Sequence, residues 1–208
     1  MVDYGAETTT GDVLNGLDLN GRHFMITGAS SGLGEESARA LSSVGATVTM
    51  LARNSEKLEA AVEGIKANNS TADLRPGIVD LADLSSIRAY TDNFLQTETA
   101  IDVLINNAGI MACPLMRTND GFEMQFGTNH IGHFLLTNLL MPAIRSGQNP
   151  RIINLSSAGH THADVNLEDP NFEKTEYSAW ESYGRSKSAN IHFTQELARR
   201  HGDYLQTF

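Results

Sequence analysis

The chain has 208 residues, enough for one sizeable hydrophobic core but short for two complete domains. Its 25 acidic residues outnumber 15 lysines and arginines, and the formal net charge of −10 argues against nucleic acid or an anionic membrane surface as the main partner. The single cysteine, Cys113, excludes an intramolecular disulfide, and the N-terminal sequence lacks the pattern of a secretory signal, so we expect a cytoplasmic protein.

Strand and helix patterns alternate after a polar N-terminal arm, residues 1–20. The run HFMITG (23–28) predicts a strand, and EESARALSSVG (35–45) has apolar residues at helical spacing. Further strands are predicted at 46–52, 74–80, 101–106 and 151–157. Further helices are predicted at 55–67, at 84–96, in a segment ending near residue 144, and around 183–193. The apolar stretch 134–144 is too short to span a bilayer and predicts a buried helix.

This alternation predicts one α/β domain over residues 21–208. Parallel strands joined by helices form a sheet that helices cover on both faces. The expected architecture is therefore a doubly wound parallel sheet, a Rossmann fold with three α/β/α layers.

A glycine-rich turn, TGASSGLGEE, follows the first predicted strand. Gly28, Gly32 and Gly34 stand where strand passes into helix, and glycines there let the backbone approach a pyrophosphate bound by the helix N-terminus. A merely tight turn is the alternative, because the spacing differs from the common Gly-x-Gly-x-x-Gly pattern. The strand-turn-helix context favours a nucleotide site.

Four segments, TGASSGLG, NNAG (106–109), INLSS (153–157) and YGRSK (183–187), together resemble the short-chain dehydrogenase/reductase family over nearly the whole chain. The arm, NHIGHF and YGRSKSANI are most like the branch of retinol dehydrogenases and WW-domain oxidoreductases. The resemblance implies an oxidoreductase that interconverts an alcohol and a carbonyl by hydride transfer. Its expected partner is a small-molecule alcohol or carbonyl substrate, and this class includes lipophilic compounds. A homo-oligomer is compatible with the family.

The resemblance also implies which residues hold a nicotinamide cofactor. They are Gly28, Ser30, Ser31, Gly32, Leu33, Gly34, Asp80, Leu81, Asn107, Ala108, Gly109, Tyr183 and Lys187. Within this set Asp80 and Leu81 match positions that contact adenine. Asn106, in the same NNAG segment, is expected to brace the sheet instead, because Asn and Gly also suit a strand-ending turn.

Arg53 follows the second predicted strand, about 20 residues after the glycine turn, where an acidic residue would bind the ribose hydroxyl of NAD. An arginine there accommodates the 2′-phosphate of NADP, and Lys57 adds positive charge. The sequence therefore predicts that NADP(H) is preferred over NAD(H). A solvated arginine at the start of a surface helix is the alternative.

Tyr183 and Lys187 lie four residues apart, so one face of a helix presents both to a single ligand. The resemblance implies a catalytic set of Asn129, Ser157, Tyr183 and Lys187. A free phenol is protonated at neutral pH, and positive charge beside it favours the phenolate. Tyr183 is thus the expected acid/base and Lys187 its electrostatic partner and a ribose ligand, while Ser157 positions the substrate oxygen.

Asn129 is expected in a helix that kinks there, so that its side chain binds water or Lys187. Of the two serines in NLSS, Ser157 matches the catalytic position and Ser156 is its structural neighbour. His130 and His133, beside Asn129, match no catalytic position. The seven histidines are scattered and form no zinc-ligand pattern, so no metal is expected.

The chain ends with GDYLQTF (202–208), which is expected to open a sixth strand, whereas members of the family normally continue. Either a longer gene product or a truncated form would explain this. A catalytically weak or inactive fragment that binds a nucleotide or a partner is therefore the alternative function. A sugar-nucleotide epimerase or dehydratase is disfavoured because that branch spaces its glycines differently.

Overall fold

The structure, a computed structural model, describes residues 4–97 and 99–208. All strands of its sheet are parallel and lie in the order β3-β2-β1-β4-β5-β6. They are β1 (His23–Thr27), β2 (Thr47–Ala52), β3 (Leu74–Ile78), β4 (Val103–Asn106), β5 (Arg151–Asn154) and β6 (Gln206–Thr207). The order reverses between β1 and β4, which is the doubly wound arrangement predicted from the sequence.

Helices follow the strands as predicted, with caps that the sequence supplies. They are α1 (Thr10–Leu14), α2 (Gly32–Ser43), α3 (Ser55–Asn68), α4 (Leu84–Leu95), α5 (Met124–Phe126), α6 (His133–Arg145) and α7 (Ala179–His201). Asn54, Asp83 and Ser178 cap α3, α4 and α7 by accepting hydrogen bonds from first-turn N–H groups. Helix α2 begins three residues before the predicted segment, because the glycine turn already contributes its first residues.

Two hydrophobic cores cover the two faces of the sheet. On one face Ile87, Leu140 and Phe193, from α4, α6 and α7, pack in one cluster with strand residues. On the other face Ala38 and Leu58, from α2 and α3, pack in a second cluster with residues of β1 and β2. Because both faces are covered, most residues of the central strands β1, β2 and β4 are buried, as expected for a parallel sheet.

The N-terminal arm contains a short helix that the sequence did not predict. A capping box between Thr9 and Asp12 starts α1, and the Thr10 hydroxyl donates to the Glu36 carboxylate on α2. Nearer the domain, the Leu19 N–H donates to the carbonyl oxygen of Val44 at 2.8 Å. The described part of the arm therefore packs on the domain.

Strand β3 forms one edge of the sheet and contains Pro76. The Val79 N–H donates to the Ala52 carbonyl oxygen of β2. Since alternate residues of a strand face the same neighbour, the nitrogen of Pro76 points away from β2. A proline, which has no N–H, is therefore tolerated at this position.

The predicted kink at Asn129 is a π-helical turn, Gly127–Gly132, that joins α5 to α6. A β-carbon on Gly132 would lie 2.4 Å from the Leu81 carbonyl oxygen, so glycine is needed for this close approach. Such turns insert an extra residue into a helix and often occur at functional sites. Among the described residues, no helix combines the length and apolar character that a membrane crossing needs.

Candidate active site

A cavity of about 520 Å³ opens at the carboxyl ends of the central strands, where the strand order reverses. Ligands of doubly wound sheets bind at this place. Eleven predicted cofactor residues line it: Gly28, Ser30, Ser31, Leu33, Gly34, Arg53, Asp80, Leu81, Asn107, Ala108 and Gly109. Also in the lining, and not predicted, are Thr27, Leu51, Ala52, Asn54, Val79, Ile110 and Thr128.

The glycine turn packs directly against the loop that follows β4. Gly28 has a φ of 69°, and a β-carbon on it would lie 2.9 Å from Ala108 Cα. A β-carbon on Gly34 would lie 2.4 Å from the Gly28 carbonyl oxygen. Both positions require glycine, because a side chain would collide with backbone.

The N-terminus of α2 faces this cavity. Ser31 occupies its N-cap position, yet its side chain accepts no hydrogen bond from the first turn among the described residues. A β-carbon on Gly32 would meet nothing within 4 Å. First-turn N–H groups without a capping side chain are suited to bind an anion, so this end of the cavity fits the phosphates of a dinucleotide.

Two cationic side chains line the cavity beyond β2. Arg53 and Lys57 are exposed, and within residues 4–97 and 99–208 neither forms an ion pair. On the neighbouring strand end, Asp80 uses one carboxylate oxygen to accept from the Ala82 N–H at 2.9 Å. The positive charge available at this end fits a further phosphate group.

Thr27, which sequence reasoning missed, anchors the loop that follows β4. Its hydroxyl oxygen accepts from the N–H groups of Asn107 and Ala108, each at 2.9 Å. The Asn107 side-chain amide donates to the Thr27 carbonyl oxygen at 2.8 Å. A threonine ending a strand immediately before the glycine turn is the signal that could have identified it.

Asn106 has the bracing role predicted for it. It is 1% exposed, and its amide donates to Thr137 Oγ1 at 2.9 Å and to Asn154 Oδ1 at 2.8 Å. The side chain thus connects β4 to β5 and to α6.

Tyr183 and Lys187 project from one face of α7. Lys187 Nζ lies 5.6 Å from the centre of the Tyr183 ring and donates to the Leu155 carbonyl oxygen at 2.9 Å. Lys187 is 4% exposed, and this burial lowers the pKa of its ammonium group. A β-carbon on cavity-lining Gly109 would stand 3.5 Å from Lys187 Nζ, so the lysine adjoins the cavity.

Ser157 and the Tyr183 ring both lie close to Gly159. It caps the 3₁₀ helix Ala158–His162, and its hydroxyl oxygen accepts from the Gly159 N–H at 3.1 Å. A β-carbon on Gly159 would lie 2.6 Å from Tyr183 Cε1 and 3.5 Å from Ser157 Oγ. The adjacent Ser156 hydroxyl instead donates to the Lys187 carbonyl oxygen, which agrees with the structural role predicted for it.

Asn129 is fully buried in the π-helical turn and holds two segments together. Its amide oxygen accepts from the Ile110 N–H, and its amide nitrogen donates to the Ile110 carbonyl oxygen and to Ser186 Oγ, all at 2.9–3.0 Å. Among the described residues it has no direct bond to Lys187. Its oxygen is nevertheless 3.6 Å from the position of a β-carbon on Gly109.

The neighbouring histidines differ in their surroundings. His133 is buried and bonds Thr27 and Asn129, and His130 Nδ1 lies 3.1 Å from Asn190 Oδ1. His160 and His162 are exposed in the 3₁₀ helix. No cluster of three or more His, Cys, Asp or Glu side chains suited to a metal ion occurs among the described residues.

Known proteins share this sequence and fold. A family model described as short chain dehydrogenase matches residues 22–205. Retinol dehydrogenase 13 of Homo sapiens is 42% identical over 182 residues, which cover 88% of this chain and 55% of that protein. Retinol dehydrogenase 14 of Homo sapiens is 45% identical over 195 residues, which cover 88% and 58%. The chain thus spans little more than half the length of these relatives.

Solved structures agree. An uncharacterised protein from Mycobacterium paratuberculosis, 44% identical, superposes with a TM-score of 0.82 over 95% of this chain and 69% of that one. A metagenomic short-chain oxidoreductase in complex with NADP, 26% identical, gives a TM-score of 0.69 over 91% and 80%. The chain therefore belongs to the short-chain dehydrogenase family, in the branch that contains the retinol dehydrogenases.

Proposed function

We propose that the chain interconverts an alcohol and a carbonyl by hydride transfer with NADP(H), and that Tyr183 is its acid/base. The observation that carries the proposal is the cluster formed by Ser157, Tyr183 and Lys187, in which the lysine adjoins the cavity. Lys187 adjoins cavity-lining Gly109, and the Tyr183 ring packs on Gly159 beside the Ser157 hydroxyl. These contacts support a role for the Tyr183 phenol in proton transfer beside the cavity.

The cavity fits a nicotinamide dinucleotide, which would supply or accept the hydride. The uncapped first-turn N–H groups of α2 and the glycine turn would hold its phosphates. Asp80 and Leu81 would contact the adenine, and Asn107, Ala108 and Gly109 would line the opposite end. Tyr183 and Lys187 would contact the ribose next to the nicotinamide.

Proton transfer is the part of the reaction that the chain itself performs. In carbonyl reduction the Tyr183 hydroxyl donates a proton to the substrate oxygen, and in alcohol oxidation the phenolate accepts it. The Lys187 ammonium group favours the phenolate by its charge. Because Ser157 Oγ accepts from the Gly159 N–H, its own hydrogen remains available to the substrate oxygen.

Asn129 completes the proposed catalytic set through the segments that it joins. Its amide clamps both backbone groups of Ile110, a cavity residue, and reaches Ser186 next to Lys187 on α7. The separation between the cavity wall and the catalytic helix is thereby fixed.

The preference for NADP(H) over NAD(H) rests on Arg53 and Lys57. Both line the cavity, and neither has an acidic partner among the described residues. A guanidinium group binds phosphate through parallel N–H groups and offers no such match to a ribose hydroxyl.

An apolar alcohol or carbonyl is the proposed substrate class. Trp180 is 53% exposed, and its ring meets the Tyr183 ring edge-on with 6.4 Å between centres. The His162 ring is also 6.4 Å from the Trp180 ring, measured between centres. An exposed indole beside the acid/base offers apolar surface to a substrate, in line with relatives whose names give retinol as theirs.

The test is Tyr183→Phe, with Tyr204→Phe as the matched control because Tyr204 lies outside the site. Turnover of an apolar aldehyde with NADPH should fall about 100- to 10,000-fold in Tyr183→Phe, while NADPH affinity changes less than about twofold. Retention of most activity would refute Tyr183 as acid/base. A wild-type chain that binds NADPH but turns over no alcohol or aldehyde would favour the nucleotide-binding alternative.

A further inference from the structure

His133 occupies a buried position between the end of β1 and the π-helical turn. It is 2% exposed. Its Nε2 lies 2.8 Å from Thr27 Oγ1, and its Nδ1 lies 2.9 Å from the Asn129 carbonyl oxygen. One ring thus connects the strand that carries the glycine turn with the residue that clamps the opposite cavity wall.

The hydrogen bonds around Thr27 determine where the protons lie. The Thr27 hydroxyl oxygen already accepts from two backbone N–H groups, those of Asn107 and Ala108. Two lone pairs are then in use, so a third donor from His133 would have no acceptor. The hydroxyl must therefore donate to His133 Nε2, and Nδ1 carries the ring hydrogen that the Asn129 carbonyl accepts.

We propose that His133 is a positioning residue, held as the neutral Nδ1–H tautomer, that orients the Thr27 hydroxyl to hold the Asn107–Ala108 backbone. Without this acceptor the hydroxyl proton has only the Ile105 carbonyl oxygen, 3.5 Å away, which is at the limit of a hydrogen bond. The Thr27 hydroxyl oxygen would then no longer be held in the orientation in which it accepts from the Asn107 and Ala108 N–H groups. Only the assignment of this loop to the cofactor rests on the proposed function.

The surroundings of the ring favour its neutral form. Burial lowers the pKa of His133 to about 4. The hydrogen bond to Asn129 opposes this lowering, and the nearby Lys187 and His130 add to it. An imidazolium would also present a donor to Thr27, whose lone pairs are occupied. The network is therefore consistent with one protonation state only.

The first test requires no cofactor. Long-range ¹H–¹⁵N spectra of ¹⁵N-histidine-labelled protein at neutral pH distinguish the two tautomers, and the His133→Gln spectrum assigns the His133 signals by their loss. We expect the Nδ1–H pattern. An Nε2–H tautomer or an imidazolium pattern for His133 would overturn the proposal, and His133→Asn provides the same assignment if His133→Gln cannot be purified.

The second test uses two amide variants that each keep one of the two ring contacts. The amide of His133→Gln reaches the place of Nε2 and can accept from Thr27, whereas that of His133→Asn reaches the place of Nδ1. In the cofactor-free protein, hydrogen exchange at the Asn107 and Ala108 amides should be about tenfold faster in His133→Asn than in wild type, because about one hydrogen bond is lost. In His133→Gln the exchange rates should remain within about threefold of the wild-type rates.

Thr27→Val and Thr27→Ser provide an independent pair. Thr27→Val should accelerate exchange at the same two amides, whereas Thr27→Ser, which keeps the hydroxyl, should not. The Leu104 amide in β4 serves as the internal reference for general loosening. Equal acceleration in His133→Gln and His133→Asn, or acceleration that extends equally to Leu104, would show that His133 is a core residue without the positioning role.

Discussion

The ammonium group of Lys187 donates a hydrogen bond to the carbonyl oxygen of Leu155, 2.9 Å away, immediately after β5. The lysine of α7 is thereby fixed by the strand whose following residues include Ser157. Because Lys187 is almost fully buried, its charge is poorly solvated and acts strongly on groups beside it.

Replacement of Lys187 by methionine tests both roles proposed for this charge. Methionine keeps the length and apolar stem of the side chain but removes the ammonium group. Turnover should fall about 100-fold or more, because the phenolate of Tyr183 loses its stabilising charge. NADPH affinity should fall about tenfold through the lost ribose contact.

Steady-state kinetics and NADPH titration followed by fluorescence would measure both effects. Lys66→Met on the exposed end of α3 is the matched control, since Lys66 lies outside the cavity. Loss of turnover with unchanged NADPH affinity would contradict the ribose contact and leave the electrostatic role standing.

Arg53→Asp should reverse the cofactor preference from NADP to NAD. The variant loses attraction for the 2′-phosphate and adds repulsion, so NADP affinity should fall by roughly 1.5–3 kcal/mol. An aspartate also offers acceptors to the ribose hydroxyls of NAD. Titration of both cofactors against wild type and variant measures the change.

The control for this prediction is Arg88→Asp, which makes the same charge change on α4, away from the cavity. It should leave the NADP-to-NAD ratio unchanged. If wild type binds NAD as tightly as NADP, or Arg53→Asp keeps the NADP preference, then Arg53 does not select the cofactor.

Gly34→Ala should lower the free energy of unfolding by about 1–3 kcal/mol, because its methyl group would collide with the backbone of Gly28. Urea titrations can follow the fluorescence of Trp180, the one tryptophan in the chain. Gly64→Ala is the matched control in α3, where a β-carbon meets nothing within 4 Å. It should be neutral or stabilising by up to about 1 kcal/mol. Equal stability of both variants would argue against the close packing of the glycine turn.

The buried His133 should make stability depend on pH. Its pKa is lowered to about 4 by burial, whereas an unfolded-chain histidine titrates near 6.5. Between these two pH values the unfolded state binds more protons than the folded state. The neutral His133 therefore contributes its full stabilisation of the folded state above about pH 6.5, and this stabilisation is lost as the pH falls toward 4. It amounts to about 3 kcal/mol.

The measurement compares the free energy of unfolding at several pH values in wild type and His133→Gln, which has no titrating group. The variant should have the shallower slope between about pH 6.5 and 4. His160→Gln, at an exposed position outside this network, is the control for replacement of a histidine. Parallel curves for wild type and His133→Gln would contradict the buried neutral histidine.

Much of this architecture follows from the sequence because local patterns decide it. The spacing of apolar residues indicates where strands and helices alternate. Gly28 and Gly34 lie in a turn whose close backbone contacts leave no space for a side chain. The bracing role of Asn106 also follows from its position at a strand end. These features depend on residues close together in the chain or on the family pattern.

The features that the sequence did not reveal depend on contacts between distant segments. Thr27 and His133 are 106 residues apart in the chain, and neither has a local signal for their shared hydrogen bond. The kink at Asn129 was predicted, but the long-range contact that it makes was not: both ends of the asparagine amide bind the backbone of Ile110, in the loop after β4. Helix α1 is too short for periodicity to identify.

Pro76 also limits how copies of this protein can associate. Its nitrogen points outward from the edge strand β3 and has no hydrogen to donate, while exposed Arg75 precedes it. A strand from a second molecule docking along this edge would lack a ladder bond at Pro76 and would meet a charged side chain beside it. This border of the sheet is thus protected against edge-to-edge aggregation, although it is the outermost strand of a largely apolar sheet.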